Sequence, residues 1–260
     1  MDSGTDIVTG GEIRDLTEFL AAANRLIVFT GAGISAESGI PTYRGAGGIW
    51  TKYNPEKYAS IDYFRRDPGY YWRFFKEVRM GMMTSAEPSP AHTSVAELEK
   101  AGRVSAVITQ NIDGLHQKAG SVRVLELHGN TTRFYCFDCY APYTMEDVRL
   151  QLETMEIPLC LKCRGVLRPD VVLFGEMLPT EVVDDATREA QLCDSLLVIG
   201  SSLVVYPAAN LPYQAKLAGA RLAIINIDPT PLDSIADVRL FSPAGEIVPP
   251  AVKAALGSMR

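Results

Sequence analysis

Residues 25–36 read RLIVFTGAGISA, and this stretch decides the fold class. Arg25–Thr30 is a short apolar run with branched residues, the pattern of a strand covered on both faces. It passes without a linker into Gly31-Ala32-Gly33-Ile34-Ser35-Ala36, which fits G-x-G-x-x-G/A in the required strand-to-helix context. In that motif Gly31 permits the tight turn, Gly33 a close approach of phosphate, and Ala36 close packing on the sheet. The first N–H groups of the helix would then face a pyrophosphate. Any tight turn favours glycine, so the motif needs support from the rest of the chain.

Five further runs read as buried strands: Arg103–Thr109, Val122–His128, Asp170–Phe174, Ser195–Gly200 and Arg221–Asp228. Between them, apolar residues recur at helical spacing over Glu12–Asn24, Ser94–Ala101, Glu181–Leu192 and Ala208–Ala218. Strands alternating with helices predict an α/β fold with a doubly wound, Rossmann-like parallel sheet. Two stretches break the alternation. Residues 45–90 are aromatic and lack strand signals, so they form a helical insert. Residues 132–169 carry paired cysteines. The expected division is a dinucleotide-binding domain from 1–44, 91–131 and 170–260, with both inserts forming one small domain.

Composition excludes several classes. The chain has 260 residues, 47% hydrophobic and 22% charged, too apolar for a disordered segment. No apolar run approaches the roughly 20 residues of a membrane helix, and the first residues carry neither a basic start nor an apolar core. A cytoplasmic protein without membrane contact is expected. With 25 Lys+Arg against 31 Asp+Glu, the net charge of −6 argues against direct nucleic-acid binding.

Four of the five cysteines form two C-x-x-C pairs, Cys136/Cys139 and Cys160/Cys163, with 20 residues between the pairs. Each pair lets two thiolates meet one ion from a tight turn, and two pairs complete a tetrahedron. Two disulfides are the competing reading, but they suit a secreted chain. A zinc ion with four sulfur ligands has no open position, so it would be structural. Cys193 reads as a small buried apolar residue.

His92 lies at a helix start and His116 in a short helical stretch; capping or packing explains both. His128 differs, because it ends a strand before Gly129-Asn130, and ligands gather at the carboxyl ends of strands in doubly wound folds. A neutral imidazole there would serve as general base. Thr109-Gln110-Asn111-Ile112-Asp113 begins at another strand end and offers amides and a carboxylate, suited to a carboxamide and ribose hydroxyls. The alternative is a polar turn with a helix cap. A dehydrogenase would place an acid about 20 residues beyond the glycines. Here that position falls at residues 50–57, which read as non-strand, while Asp228 ends a late strand. Hydride transfer becomes the weaker reading.

Together these pieces resemble the sirtuin family of NAD-dependent protein-lysine deacylases, over about residues 12–258. The motifs carrying the resemblance are Gly31–Pro41 with Tyr43-Arg44, Thr109–Asp113, His128-Gly129, the two cysteine pairs, Phe174-Gly175-Glu176, Gly200-Ser201-Ser202 and Asn226-Ile227-Asp228. The resemblance implies that NAD is surrounded by Gly31, Ala32, Gly33, Ala36, Glu37, Pro41, Thr42, Tyr43, Arg44, Trp50, Gln110, Ile112, Gly200, Ser201, Ser202, Asn226, Ile227, Asp228 and Ala244. Asn111 and Asp113 would hold the nicotinamide ribose and carboxamide, and His128 would be the base. An acyl-lysine peptide would add as a strand beside Val172, Phe174, Gly175, Glu176, Val204 and Val205. One structural Zn2+ and a monomeric chain complete this expectation.

Residues 39–45 resemble the branch that includes desuccinylases, where a Tyr and an Arg three residues later read the acyl carboxylate. Aligned from Trp72, those positions are Phe75 and Val78 here, and Arg79 falls one residue late, about 100° round an α-helix. An apolar Phe75/Val78 wall would leave a carboxylate unpaired, so acetyl or longer aliphatic groups are expected over succinyl. Slippage of the alignment, with both residues in the core, is the alternative. Two other functions compete: ADP-ribosyl transfer or NAD hydrolysis at the same site, and a non-catalytic NAD sensor.

Overall fold

The computed structural model describes residues 9–43 and 48–258. Its main sheet has six parallel strands: β1 (Leu26–Thr30), β2 (Val104–Thr109), β3 (Val124–Glu126), β7 (Ser195–Ile199), β8 (Arg221–Ile225) and β9 (Val238–Leu240). They lie in the order β3-β2-β1-β7-β8-β9. The order reverses beside β1, so the loops leaving β1 and β7 part to opposite sides and open a crevice at their carboxyl ends.

Both faces are covered, which explains the near-continuous apolar strands. Helices Gly10–Ala22, Pro90–Lys100 and Ala244–Ser258 bury Leu16, Phe19, Val95, Leu98, Ile247 and Val252 on one face. Helices Thr180–Leu192 and Asn210–Leu217 bury Ala186, Ala190, Leu211 and Ala215 on the other. Helix starts follow the local chemistry: Thr9 with Glu12, and Ser89 with His92, each form a reciprocal capping box.

A second, three-stranded antiparallel sheet joins β4 (Gly129–Cys136), β5 (Pro142–Thr144) and β6 (Leu167–Val171) in the order β5-β4-β6. Phe134, Cys136, Cys160 and Leu167 share one apolar cluster with Ile61, Phe64, Tyr71, Trp72 and Phe75 from the aromatic segment. That segment is a run of short helices interrupted by a π-helical turn over Phe75–Arg79.

One expectation needs correction, and two further elements carry no signal in the sequence. The run Asp170–Phe174 does not enter the main sheet; β6 ends at Val171 and pairs with β4. The sixth main-sheet strand is β9, whose three residues are too few to show a pattern. The helix Ala244–Ser258 is the other, because Pro249 and Pro250 lie inside it and ordinarily break helices.

Candidate active site

The loops after β1, β2, β7 and β8 converge on one cavity of about 1660 Å³. That exceeds the roughly 300–1,000 Å³ of a single small-ligand pocket, so it has room for two reactants. At its floor Gly33 donates from its backbone to the Gly200 carbonyl at 2.8 Å, and Gly31 donates to Ile199. Gly200 has φ +63, and a Cβ on Gly33 would lie 2.6 Å from the Gly200 Cα. The glycines therefore let two loops touch across the crevice, which is a different reason from the phosphate approach expected of Gly33. The following segment Ala32–Ser38 is a 3-10 helix, and Ala36 is exposed on the cavity rather than packed on the sheet.

The β2 end supplies the polar wall. Gln110 donates from Nε2 to Ser201 Oγ at 2.7 Å. Asn111 is buried, and its Nδ2 donates to the Gly31 carbonyl at 3.0 Å and to Ser35 Oγ at 3.1 Å. Asp113 lies behind this wall and not on the cavity: it accepts from Ser35 Oγ at 2.7 Å and from the Leu115 N–H at 2.9 Å. Burial pushes its carboxyl up, against those two donors. Its place is to orient Ser35, and through it Asn111.

His128 occupies the two-residue joint between β3 and β4, half-buried on the cavity. Its Nδ1 meets the Gln110 carbonyl at 2.9 Å, and its own carbonyl accepts from the Val172 N–H at 2.9 Å. A carbonyl only accepts, so Nδ1 carries the proton and Nε2 is bare. Burial pushes the imidazole below its ordinary 6.5, although the Gln110 carbonyl pulls it upward. The ring is neutral at neutral pH.

The wall beyond His128 comes from the segment after β6. Phe174 exposes its ring, but its N–H donates to Ala59 at 2.7 Å and its carbonyl accepts from Ile61 at 3.0 Å. Both backbone groups are thus committed to the helical segment and do not remain for a substrate strand. Glu176 is likewise engaged: Arg168, 3% exposed at its side chain, grips both carboxylate oxygens at 2.7 and 2.8 Å. Burial would raise the Glu176 carboxyl, yet this pair and the Leu173 N–H hold it below its usual value.

Most expected residues line this cavity, among them Glu37, Pro41, Thr42, Tyr43, Trp50, Ile112, Val172, Gly175, Ser202, Val204, Val205, Asn226, Ile227, Asp228 and Ala244. Glu37 also accepts from the Gly245 N–H at 2.8 Å, capping the C-terminal helix. Arg44 lies outside the described residues. Phe75 is fully buried between Trp72 and Phe134, and neither it nor Val78 reaches the cavity, so the expected apolar wall is absent. Arg79 is there instead. A π-turn inserts one residue into the helical register, which swings Arg79 onto the face that residue 78 would hold in an unbroken α-helix. Arg79 is 4% exposed, its guanidinium beside the Tyr43 and Phe74 rings, and no ion pair joins it to a carboxylate among the described residues. Sequence reasoning missed it because nothing in the sequence announces the π-turn.

Away from the cavity, the four cysteine sulfurs lie within 4.8 Å of one another. Cys136 and Cys163 approach to 3.4 Å, Cys139 and Cys160 to 3.6 Å. Four sulfurs about 2.3 Å from one ion would stand about 3.8 Å apart, so the set fits tetrahedral zinc. Tyr143 donates to Cys160 Sγ at 3.2 Å, which with the neighbouring N–H groups holds that thiol down to about 6.

A doubly wound sheet with a cavity at its switch point, joined to a four-cysteine module, defines a dinucleotide-binding class of protein. A Sir2 family profile matches residues 31–207. The chain belongs to the Sir2 family. It is 52% identical to NAD-dependent protein deacylase 2 of Archaeoglobus fulgidus over 93% of this chain and 95% of that protein. It is 48% identical to the NAD-dependent protein deacylase of Pyrococcus furiosus over 92% and 96%. Among solved structures, a Sir2 with a p53 peptide and NAD+ superposes with a TM-score of 0.87 at 40% identity, covering 95% of this chain and 99% of that one.

Proposed function

We infer that this chain is an NAD-dependent protein-lysine deacylase that removes acetyl groups, and other acyl groups the cavity admits, from lysine side chains. The observation that carries the reading is the neutral His128 imidazole with its bare Nε2, on the same cavity as Asn111 and the Gly31–Gly200 crevice. Relatives of about half identity named as NAD-dependent deacylases support it.

NAD fits on the chemistry of the wall: amides of Gln110 and Asn111, hydroxyls of Ser201 and Ser202, and Asn226 and Asp228 at the β8 end. When bound, it supplies an electrophilic ribose carbon for the acyl oxygen, with nicotinamide as leaving group. Asn111, fixed by Gly31 and Ser35, orients the nicotinamide side. The Pro41–Tyr43 loop and Trp50 exclude water there. Nε2 of His128 takes a proton from a ribose hydroxyl, and its tautomer is held ready by Gln110. With one water consumed, the acyl group passes from the lysine nitrogen to a ribose oxygen, and the products are free lysine, nicotinamide and O-acyl-ADP-ribose. The peptide lies extended beside Gly175 and Val204–Tyr206. One zinc, held by Cys136, Cys139, Cys160 and Cys163, takes no part in the chemistry. Among the described residues, 9–43, 91–131 and the chain from 172 onward carry NAD, and 48–90 with 132–171 form the smaller unit. A net charge of −6 gives no footprint for nucleic acid, and among the described residues no helix is long and apolar enough to cross a membrane. We assign a monomer to the cytoplasm.

Following NAD loss and products with and without an acetyl-lysine peptide tests the reading. Nicotinamide release that requires the peptide and yields O-acetyl-ADP-ribose is expected. Equal NAD loss without peptide would replace it with hydrolysis, and ADP-ribose fixed to protein would replace it with transfer.

A further inference from the structure

Asn226, Ile227 and Asp228 leave the end of β8 and line the cavity. In the sheet order β8 lies two strands to one side of β1, whereas Asn111 follows β2 on the other side. NAD is a long molecule with two ends. With its nicotinamide beside Asn111, its adenosine ribose falls to the β8 loop.

A carbonyl only accepts, so a loop that turns its carbonyls inward needs donors beneath it. One side chain from the neighbouring strand supplies them. Arg239 in β9 donates from Nη1 to the Asn226 carbonyl at 2.9 Å and to the Leu240 carbonyl. Its Nη2 donates to the Asp228 carbonyl at 2.8 Å, and its Nε to Asp233 Oδ1 at 2.7 Å. Asp233 in turn accepts from the Thr230 N–H at 2.9 Å and from the Thr230 hydroxyl at 2.6 Å. The Arg239 side chain is only 11% exposed, and its guanidinium lies 3.6 Å over the Phe241 ring. A guanidinium has its donors in fixed directions, so it sets the spacing of the 226 and 228 carbonyls as well as satisfying them. Asn226 Nδ2 donates to that same Asp228 carbonyl at 2.7 Å. This bond orients the amide and leaves its Oδ1 as the acceptor for a ribose hydroxyl.

We propose that Arg239 is a positioning residue for the adenosine half of NAD, holding the backbone of Asn226–Asp228 in the shape that offers the Asn226 amide to the ribose. Arg239 does not itself line the cavity, so it acts through the loop. The proposal rests on the reading that NAD occupies this cavity. Its effect belongs to every ligand that carries the adenosine ribose, ADP-ribose included, and not to the chemistry at the nicotinamide end.

Calorimetric titration with ADP-ribose tests this without any turnover. Arg239→Met should weaken ADP-ribose binding by about tenfold or more and raise NAD KM to match, with kcat at saturating NAD and peptide KM within about twofold. Asn226→Ala should also lose affinity, and adding Arg239→Met to it should cost less than about a further twofold, since both act through one contact. Arg239→Lys keeps the charge without the fork and should still weaken ADP-ribose by about threefold or more. That variant carries the test if Arg239→Met does not fold. Wild-type affinity in either Arg239 variant overturns the proposal. So do losses that simply multiply in the double variant, or a rise in peptide KM as large as the rise in NAD KM. A wild type that binds no ADP-ribose refutes the NAD reading and the role of Arg239 with it, whereas one that binds it without acyl transfer refutes the deacylase reading alone.

Discussion

Gly33 and Gly200 meet backbone to backbone across the crevice, with the Gly33 N–H on the Gly200 carbonyl at 2.8 Å. A Cβ at residue 200 would lie 2.4 Å from the Ile34 nitrogen, and the φ of +63 is itself unfavourable for other residues. Ala at position 33 or 200 should therefore destabilise the chain by about 2 kcal/mol or more and weaken NAD binding. Urea unfolding and calorimetric titration with NAD check this. Full stability in both variants would mean the loops can separate at little cost.

His128→Ala should keep the fold and NAD binding while deacylation falls by about 10²–10⁴-fold. In the wild type the base must be neutral, and burial lowers its pKa. Activity is therefore lost on acidification only below the ordinary imidazole value of 6.5, and a pH series of kcat/KM reads the inflection. Normal turnover by the Ala variant would remove His128 from the chemistry.

Glu176 pairs with a guanidinium that is almost wholly inside the protein. Removing one partner of such a pair costs about 3–5 kcal/mol, because the other charge is left uncompensated. Glu176→Gln should loosen the 172–176 segment and raise peptide KM more than NAD KM. Arg168→Met with Glu176→Leu should be less damaging than either single change. Equal peptide KM in wild type and Glu176→Gln would show that the clamp does not shape the cleft.

Chelation should release one zinc per chain and unfold the smaller sheet, since folding and metal binding are coupled in such modules. Trp72 packs on Phe134 at 6.0 Å in the same cluster as Cys136 and Cys160. Its fluorescence should shift to the red as zinc leaves. Unchanged emission with zinc gone would mean the aromatic cluster holds itself.

Arg79 gives the cavity a buried cation where an apolar wall was expected. Burying a guanidinium without an anion is unfavourable, and the nearby rings offset only about 1–2 kcal/mol. A substrate carboxylate would complete the pair. On one peptide sequence, succinyl-lysine should be turned over at least as well as acetyl-lysine, and the ratio should fall by about tenfold in Arg79→Met. A succinyl rate far below the acetyl rate in the wild type would show that Arg79 reads nothing on the substrate.

What could be read from residues alone was whatever repeats with a period or has fixed spacing. The strand Arg25–Thr30, its glycines and the paired cysteines each carry their reason locally. The failures share a different cause. Phe174 looks available until Ala59 and Ile61, over a hundred residues away, are seen to occupy its backbone. Arg79 looks misplaced until a π-turn shifts the register. Ala244–Ser258 looks broken at Pro249-Pro250 until six of its residues are seen buried on the sheet. In each case a distant contact overrules a local preference.

Only Leu127 and His128 separate the last residue of β3 from the first of β4. The chain thus crosses from one sheet to the other in a span with no slack, tethered by Gln110 on one side and Val172 on the other. A single residue inserted at this crossing would displace the imidazole itself, so here chain length, as well as residue identity, is under constraint.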